Sequence, residues 1–86
     1  MEIKILGPGC AKCKKMFEEA QKAVNASGIP VTITKVEDIR SIMEHGVIMT
    51  PALILNGEVK IAGRIAYASD IVSWIMSAAA KEQQSS

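Results

Sequence analysis

Hydrophobic and polar positions alternate at the start of the chain and then recur with a helical period. Residues 2–6, EIKIL, alternate and end fully apolar, which predicts a strand. Residues 7–9, Gly-Pro-Gly, end that strand, because proline donates no ladder hydrogen bond and glycine permits a turn. Over residues 11–27 apolar positions recur at steps of three and four, which predicts a helix, and Glu19 is expected on its solvated side. The buried face of this helix is predicted to comprise Cys13, Phe17, Ala20 and Val24.

A second strand and a short helix are predicted in the middle of the chain. Residues 31–36 are mostly β-branched, a composition that favours a strand. Gly28 separates this strand from the first helix, because glycine readily adopts the left-handed conformation that ends helices. The next helix is predicted over residues 38–45, with Asp38 as its N-cap and Gly46 as its stop. Its inward side is predicted to comprise Ile39, Ile42 and Met43.

A β-hairpin and a final helix complete the predicted elements. Residues 52–55 and 58–62 flank Asn56-Gly57, the dipeptide preferred in a two-residue type I′ turn. The first arm is apolar throughout and is expected at the centre of a sheet, whereas the second alternates and is expected at an edge. The last helix is predicted over residues 69–81, with the serine at its start as the cap.

The order of these elements, βαβαββα, predicts one α/β domain with a four-stranded mixed sheet and helices on both faces. The chain has 86 residues, which leaves room for a single core. The domain is expected over residues 1–81, and the polar residues 82–86 are expected to form a frayed tail. Hydrophobic residues make up 49% and charged residues 22%, a globular rather than a disordered composition.

Charge and hydropathy exclude several classes of function. Ten basic and nine acidic residues give a net charge of +1, too little for a nucleic-acid binder that relies on phosphate neutralisation. No apolar run approaches the roughly 18 to 20 residues that span a bilayer, and the first apolar stretch is too short for a secretory signal. We therefore expect a cytoplasmic protein that binds neither nucleic acid nor membranes. A monomer is also expected, although neither charge nor hydropathy indicates the oligomeric state.

Cys10 and Cys13 are the two cysteines of the chain and its candidate reactive groups. A bridge between them closes almost no loop and stabilises little, so redox or metal chemistry is favoured. Cys10 falls at the predicted N-cap of the first helix, where free N–H groups and the helix dipole favour a thiolate. Lys12 adds positive charge there and is predicted to lower the pKa of Cys10. Cys13 lies one turn further along the apolar face, so we expect Cys10 to be exposed and Cys13 to be shielded.

This asymmetry suits dithiol exchange, in which Cys10 attacks a partner disulfide and Cys13 then resolves the mixed disulfide. Thr50-Pro51, directly before the apolar arm of the hairpin, is a second signal. Proline is expected only at the start or edge of a strand, and the residues alone leave the isomer of this peptide bond, cis or trans, open.

Together these features resemble the thioredoxin/glutaredoxin family. The chain is most similar to the very small thioredoxin-like redox-active disulfide proteins of archaea and bacteria. Those proteins open on an Ile/Lys strand followed by Gly-x-Gly-Cys-x-x-Cys, and they carry Thr-Pro-Ala-Leu, here residues 50–53, and a later Gly-Arg, here residues 63–64. The resemblance covers essentially the whole chain as far as about Lys81.

The resemblance implies a thioredoxin-like fold and a thiol–disulfide oxidoreductase that reduces protein or small-molecule disulfides. By this match Cys10 is the attacking cysteine and Cys13 the resolving one. Pro51 matches the cis-proline that faces the pair, and Thr50 matches the residue whose backbone pairs with a bound substrate. The resemblance also implies no cofactor besides the redox-active disulfide, no metal, and an upstream reductant such as a thioredoxin-reductase-like flavoprotein.

The chain departs from its larger relatives at several positions. Residues 11–12, Ala-Lys, are neither the Gly-Pro of typical thioredoxins nor the Pro-Tyr of typical glutaredoxins. Gly9 stands where a tryptophan would precede the first cysteine. No acidic residue falls on a predicted inner strand position, where thioredoxins carry a buried proton acceptor. Residues 63–64 replace the Gly-Gly expected in glutaredoxins, which leaves the use of glutathione open.

Two alternatives use the same two thiolates. A metallochaperone-like domain holds Cu(I) between two such cysteines, but domains of that kind end in a strand and this chain is predicted to end in a helix. A redox-sensing binding module also fits an exposed thiolate with a resolving neighbour. A zinc site is weaker, because four ligands are usual and only His45 could add to the pair.

Overall fold

The strands and helices follow one another in the predicted order. The computed structural model describes residues 1–84, and the side chains of residues 1–82. The strands are β1 (Glu2–Leu6), β2 (Thr32–Val36), β3 (Ala52–Leu55) and β4 (Glu58–Ala62), and the helices are α1 (Ala11–Ser27), α2 (Ile39–Glu44) and α3 (Ala68–Gln84). The sheet has the order β2-β1-β3-β4, with β1 parallel to β2 and the other pairs antiparallel. The predicted α/β fold class and four-stranded mixed sheet are confirmed.

Helices cover both faces of this sheet. On one face α1 and α3 pack together, because β1 and β3 direct alternate apolar side chains toward them. The main members of this core are Ile3, Ile5, Met16, Ala20, Ala23, Leu53, Leu55, Ile71 and Ile75. On the other face α2 covers a smaller cluster formed by Leu6, Ile42, Val47, Ala52 and Ile54. Burying each large aliphatic side chain contributes about 1.5–3 kcal/mol, so the larger cluster supplies most of the stability.

The hairpin agrees with its sequence. Asn56 and Gly57 have φ angles of 49° and 83°, the two positive values that a type I′ turn requires. The side-chain oxygen of Asn56 accepts the N–H of Glu2 at 2.9 Å, and the N–H of Asn56 donates to the carbonyl of Glu2. These bonds fix the turn against β1. Because β3 pairs with both β1 and β4, it lies inside the sheet and β4 lies at its edge.

The ends of α3 differ from the prediction. The helix begins at Ala68 rather than at a Ser69 cap, because Asp70 accepts the N–H of Tyr67 and Glu19 accepts the N–H of Ala68. It continues to Gln84, beyond the expected end near Lys81. The first residues of the predicted tail are therefore helical, whereas Ser85 and Ser86 lie outside the described residues. The domain limits 1–81 and the tail 82–86 stay predictions.

The buried face of α1 was only partly predicted. Cys13 and Ala20 are buried, but Phe17 and Val24 are half-buried, and Met16 and Ala23 are also in the core. Glu19, expected in solvent, is only 6% exposed. Its carboxylate accepts the N–H of Ala68 and pairs with Lys22 at 3.0 Å and Lys15 at 3.3 Å. The hydrogen bonds from Ala68 and Lys22 lower the pKa of Glu19 to about 2.

Candidate functional site

Cys10 and Cys13 form a disulfide where β1 passes into α1. Cys10 is the N-cap residue, with extended backbone angles, and its Sγ accepts the N–H of Cys13 at 3.2 Å. As predicted, Cys10 is exposed and Cys13 is buried. A sulfur at an N-cap faces the free N–H groups of the first helical turn, which stabilise a negative charge. The geometry therefore favours the thiolate at Cys10 once the bridge is reduced.

Gly7 allows the end of β1 to approach Cys13 closely. A Cβ at this position would overlap Cys13 Sγ and lie 3.9 Å from Pro51 Cα. The N–H of Gly7 donates to the carbonyl of Val36 at 2.9 Å, which fixes the backbone between two neighbouring elements. Because position 7 has no side chain, Cys13 and Pro51 both pack against this glycine.

Pro51 is buried directly before β3, and the Thr50–Pro51 peptide bond is cis, as the sequence analysis predicts. The carbonyl of Pro51 accepts the N–H of Gly63 at 2.9 Å. The side chain of Met49 lies against Gly63 as well, where a Cβ would come within 2.9 Å of Met49 Cε. The segment before β3 is thus hydrogen-bonded to Gly63, the residue that follows β4. Pro51 packs on Gly7, which also contacts Cys13, so this segment lies beside the cysteine pair.

An apolar groove opens next to Thr50. It has a volume of about 370 Å³ and is lined by Pro8, Ile39, Ile42, Met43, Val47, Ile48 and Thr50. Ile39 and Met43 are each 64% exposed and Ile48 is 92% exposed. The prediction that Ile39 and Met43 point inward was therefore wrong. Because α2 has only six residues, one side chain, Ile42, fills the available core position, and the others remain on the surface.

Lys12 is exposed in the first turn of α1, two residues after Cys10. Within residues 1–84 it has no salt bridge, so its charge is not neutralised by a neighbouring carboxylate. Lys15, in contrast, pairs with Glu19. The positive charge of Lys12 therefore adds to the positive end of the α1 dipole, beside Cys10.

A small cavity lies behind Cys13, between α1 and the end of β2. It measures about 50 Å³ and is lined by Ile5, Gly7, Gly9, Cys13, Lys14, Phe17, Lys35 and Glu37. Lys35 Nζ lies 4.4 Å from the centre of the Phe17 ring, a cation–π distance. Glu37 Oε2 lies 3.1 Å from where a Cβ of Gly9 would be.

Glu37 was not singled out from the sequence, because it follows a strand instead of lying on one. The pairing of the strands contains the missing signal. β1 and β2 are parallel, with Leu6 opposite Val36, so residue 37 must lie beside the Gly-Pro-Gly segment that leads to Cys10. The residue-by-residue register of these two parallel strands would have identified Glu37.

Comparison with known proteins assigns the family. The model of the thioredoxin domain family matches residues 1–76. The chain belongs to the thioredoxin family. A protein named thioredoxin from Methanothermobacter thermautotrophicus is 38% identical over 71 residues, which cover 83% of this chain and 92% of the relative. A thioredoxin from Methanocaldococcus jannaschii is 36% identical over 69 residues, covering 80% and 79% respectively.

Family membership and the Cys10–Cys13 bridge identify the activity. This thioredoxin-family protein is a thiol–disulfide oxidoreductase, as predicted. In general terms its partners are proteins that carry disulfides and a reductase that restores the dithiol. The final helix α3 agrees with this family and not with the copper-carrying domains, which end in a strand. Cu(I) transfer is therefore not favoured.

The polar contacts of His45 in this thioredoxin-family domain are with α2 and β1. Its Nδ1 is 2.6 Å from the carbonyl oxygen of Ser41, and its Nε2 is 3.4 Å from Lys4 Nζ. No group of three or more His, Cys, Asp or Glu side chains that could hold a metal ion occurs within the described part of the chain. In residues 1–84 no helix has the length and apolar character needed to cross a membrane.

Proposed function

We propose that Cys10 is the attacking cysteine and Cys13 the resolving cysteine of this oxidoreductase. The observation that carries the proposal is the unequal placement of the two sulfurs. Cys10 is exposed and accepts an N–H at the start of α1, whereas Cys13 is only 6% exposed. A partner disulfide can therefore reach Cys10 and not Cys13.

The exchange proceeds in two displacements. The Cys10 thiolate attacks one sulfur of the partner disulfide, so that a Cys10–partner bond forms and the other partner sulfur leaves as a thiolate. Cys13 then loses its proton and attacks Cys10 Sγ. The Cys10–Cys13 bond forms, the Cys10–partner bond breaks, and the second partner sulfur leaves. The partner gains two electrons and, with protons from solvent, ends as a dithiol.

Lys12 is proposed to assist the first displacement. Its unpaired ammonium group lies in the turn that Cys10 caps, where positive charge adds to the helix dipole in favouring a thiolate. Thr50 and Pro51 are proposed to bind the substrate, since Pro51 packs on Gly7 beside Cys13 and Thr50 borders the apolar groove.

The groove supports a protein disulfide as the principal substrate. A polypeptide whose cysteine is bonded to Cys10 must lie across the surface around Cys10, and this surface includes Pro8 and Thr50. Apolar side chains near the partner's cysteine would be buried against Ile39, Met43 and Ile48. A small-molecule disulfide can react at Cys10 without occupying the groove.

We further propose that the protein is a cytoplasmic monomer and that a thioredoxin-reductase-like flavoprotein reduces it. It needs no cofactor or metal, and it binds neither nucleic acid nor membranes.

Two cysteine variants test the assigned roles. Cys10→Ser should abolish disulfide reduction, because the exposed nucleophile is lost. Cys13→Ser should still attack but should accumulate a mixed disulfide with the substrate, detected by non-reducing electrophoresis and intact mass. Equal trapping by the two variants would contradict the assignment.

A further inference from the structure

Cys13 must lose a proton before it can attack Cys10, and its surroundings make this difficult. Its side chain is buried beside Ile5 and Phe17, and burial in apolar surroundings disfavours a charged sulfur. Unlike Cys10, it is not at the helix N-cap. The second displacement therefore depends on a group that can accept this proton.

The cavity behind Cys13 contains one suitable acceptor. The charged groups that line it are Lys14 from α1, Lys35 from β2 and Glu37 from the segment after β2, while β1 contributes only Ile5 before Gly7. An ammonium group can only donate hydrogen bonds, whereas a carboxylate such as that of Glu37 has oxygen lone pairs that can accept a proton. A cavity of about 50 Å³ has room for a water that could relay the proton.

The contacts of Glu37 do not explain it as a structural residue. It has no hydrogen bond or salt bridge among the described residues, unlike Glu19. Its Oε2 lies against Gly9, one residue before Cys10, while the residue as a whole is exposed. One side of the carboxylate thus borders the cavity, and the other side can release a proton to solvent.

We propose that Glu37 accepts the proton of the Cys13 thiol during the second displacement, directly or through one water in the cavity. The S–H bond of Cys13 breaks and a carboxyl O–H bond forms. The Cys13 sulfur then bonds to Cys10 Sγ, the partner sulfur leaves with the electron pair of its bond to Cys10, and Glu37 returns its proton to solvent. This inference rests on the proposed roles of Cys10 and Cys13.

The test separates the two displacements with a dithiobis(nitrobenzoate) disulfide, which releases a coloured thiolate at each step. The reduced protein is mixed with one equivalent of the reagent. Attack by Cys10 gives a first release whose rate depends on reagent concentration, and resolution by Cys13 gives a second release that does not. Both phases are followed by stopped-flow absorbance from acidic to alkaline pH.

Glu37→Gln should slow the second release by about 10²-fold or more near neutral pH, since positioned proton transfer typically contributes roughly 10²–10⁴-fold. The first release should be unchanged. The deficit should shrink as the pH rises, because hydroxide then removes the proton. Glu18→Gln is the matched control, because it removes the same charge from an exposed position on α1 outside the cavity lining, and it should match the parent protein in both phases.

Three results would overturn the inference. They are an unchanged second release in Glu37→Gln, an equal slowing in Glu18→Gln, and a deficit that is the same at every pH. Melting curves of the oxidised variants check that the fold is intact. If the parent protein itself shows no first release, the proposed role of Cys10 fails instead, so the two failures are distinguishable.

Discussion

The close approach of Gly7 to Cys13 predicts that Gly7→Ala shifts the redox equilibrium of the pair. The added Cβ would overlap Cys13 Sγ, and overpacking of this kind costs about 1–3 kcal/mol. In the oxidised protein the bridge to Cys10 holds Cys13 Sγ in place, so this form bears the full cost. In the reduced protein Cys13 Sγ can rotate away. If rotation relieves the overlap, the midpoint potential should become more oxidising by about 20–60 mV, since about 1.4 kcal/mol corresponds to 30 mV for a two-electron couple.

Two independent measurements bear on this prediction. Thiol alkylation with intact mass across a buffered potential series gives the midpoint, and denaturant unfolding gives the stability of each redox form. The loss of stability in the oxidised form minus the loss in the reduced form should equal the shift in midpoint, converted by the same constant. A midpoint within about 10 mV of the parent value, or two measurements that disagree, would refute the proposed overlap.

Gly46→Ala is the control for an added methyl group. Gly46 has a φ angle of 76°, and a Cβ there would meet no atom within 4 Å. The left-handed conformation costs a non-glycine residue about 1–2 kcal/mol, and this cost is the same whether or not the cysteines are bridged. Both redox forms should lose equal stability, and the midpoint should not move.

The other predictions concern stability at low pH and substrate binding. Because the pKa of Glu19 falls from 4.5 to about 2 on folding, its stabilising effect should be complete above about pH 5 and lost as the pH falls toward 2. Glu19→Gln should therefore lower the melting temperature at pH 7, and the difference from the parent protein should vanish near pH 2; a constant difference would show that the charge is not responsible. Ile48→Ser should raise KM for a protein disulfide such as insulin by about 10- to 150-fold, from the roughly 1.5–3 kcal/mol that burying an isoleucine contributes. It should leave the rate with a small aromatic disulfide unchanged. Val59→Ser, at an exposed position on the edge strand β4, should change neither, and an equal loss in both variants would exclude the groove as the binding surface.

Features set by neighbouring residues in the chain were predictable from the sequence. The Asn56-Gly57 turn follows from the backbone preferences of two adjacent residues. The limits of α1 follow from its periodicity and from Gly28, which adopts a φ angle of 68° at its end. The placement of Cys10 at the N-cap then follows from where α1 begins.

Features set by contacts between distant segments were not predictable in the same way. Glu19 was expected in solvent because it falls outside the predicted apolar face of α1, but its carboxylate accepts the N–H of Ala68, at the start of α3. Ile39 and Met43 have the spacing of a buried face, but α2 is too short and too isolated to bury them. Both errors treated a helix alone, whereas burial depends on what packs against it.

The site is assembled from chain segments that meet at one end of the sheet, where all four strands begin or end. Leu6 pairs with both Val36 and Ala52, and Ala52 pairs with Ala62. The end of β1, the end of β2, the start of β3 and the end of β4 therefore lie side by side.

The residues just beyond these four points are the ones on which the proposed chemistry depends. Cys10 follows β1, Glu37 follows β2, Pro51 precedes β3, and Gly63 follows β4 and donates to the carbonyl of Pro51. A change in the pairing of any strand would separate its segment from the others. The sheet register, more than the Cys-x-x-Cys motif alone, brings the proposed nucleophile, the proposed proton acceptor and the proposed substrate-binding segment together.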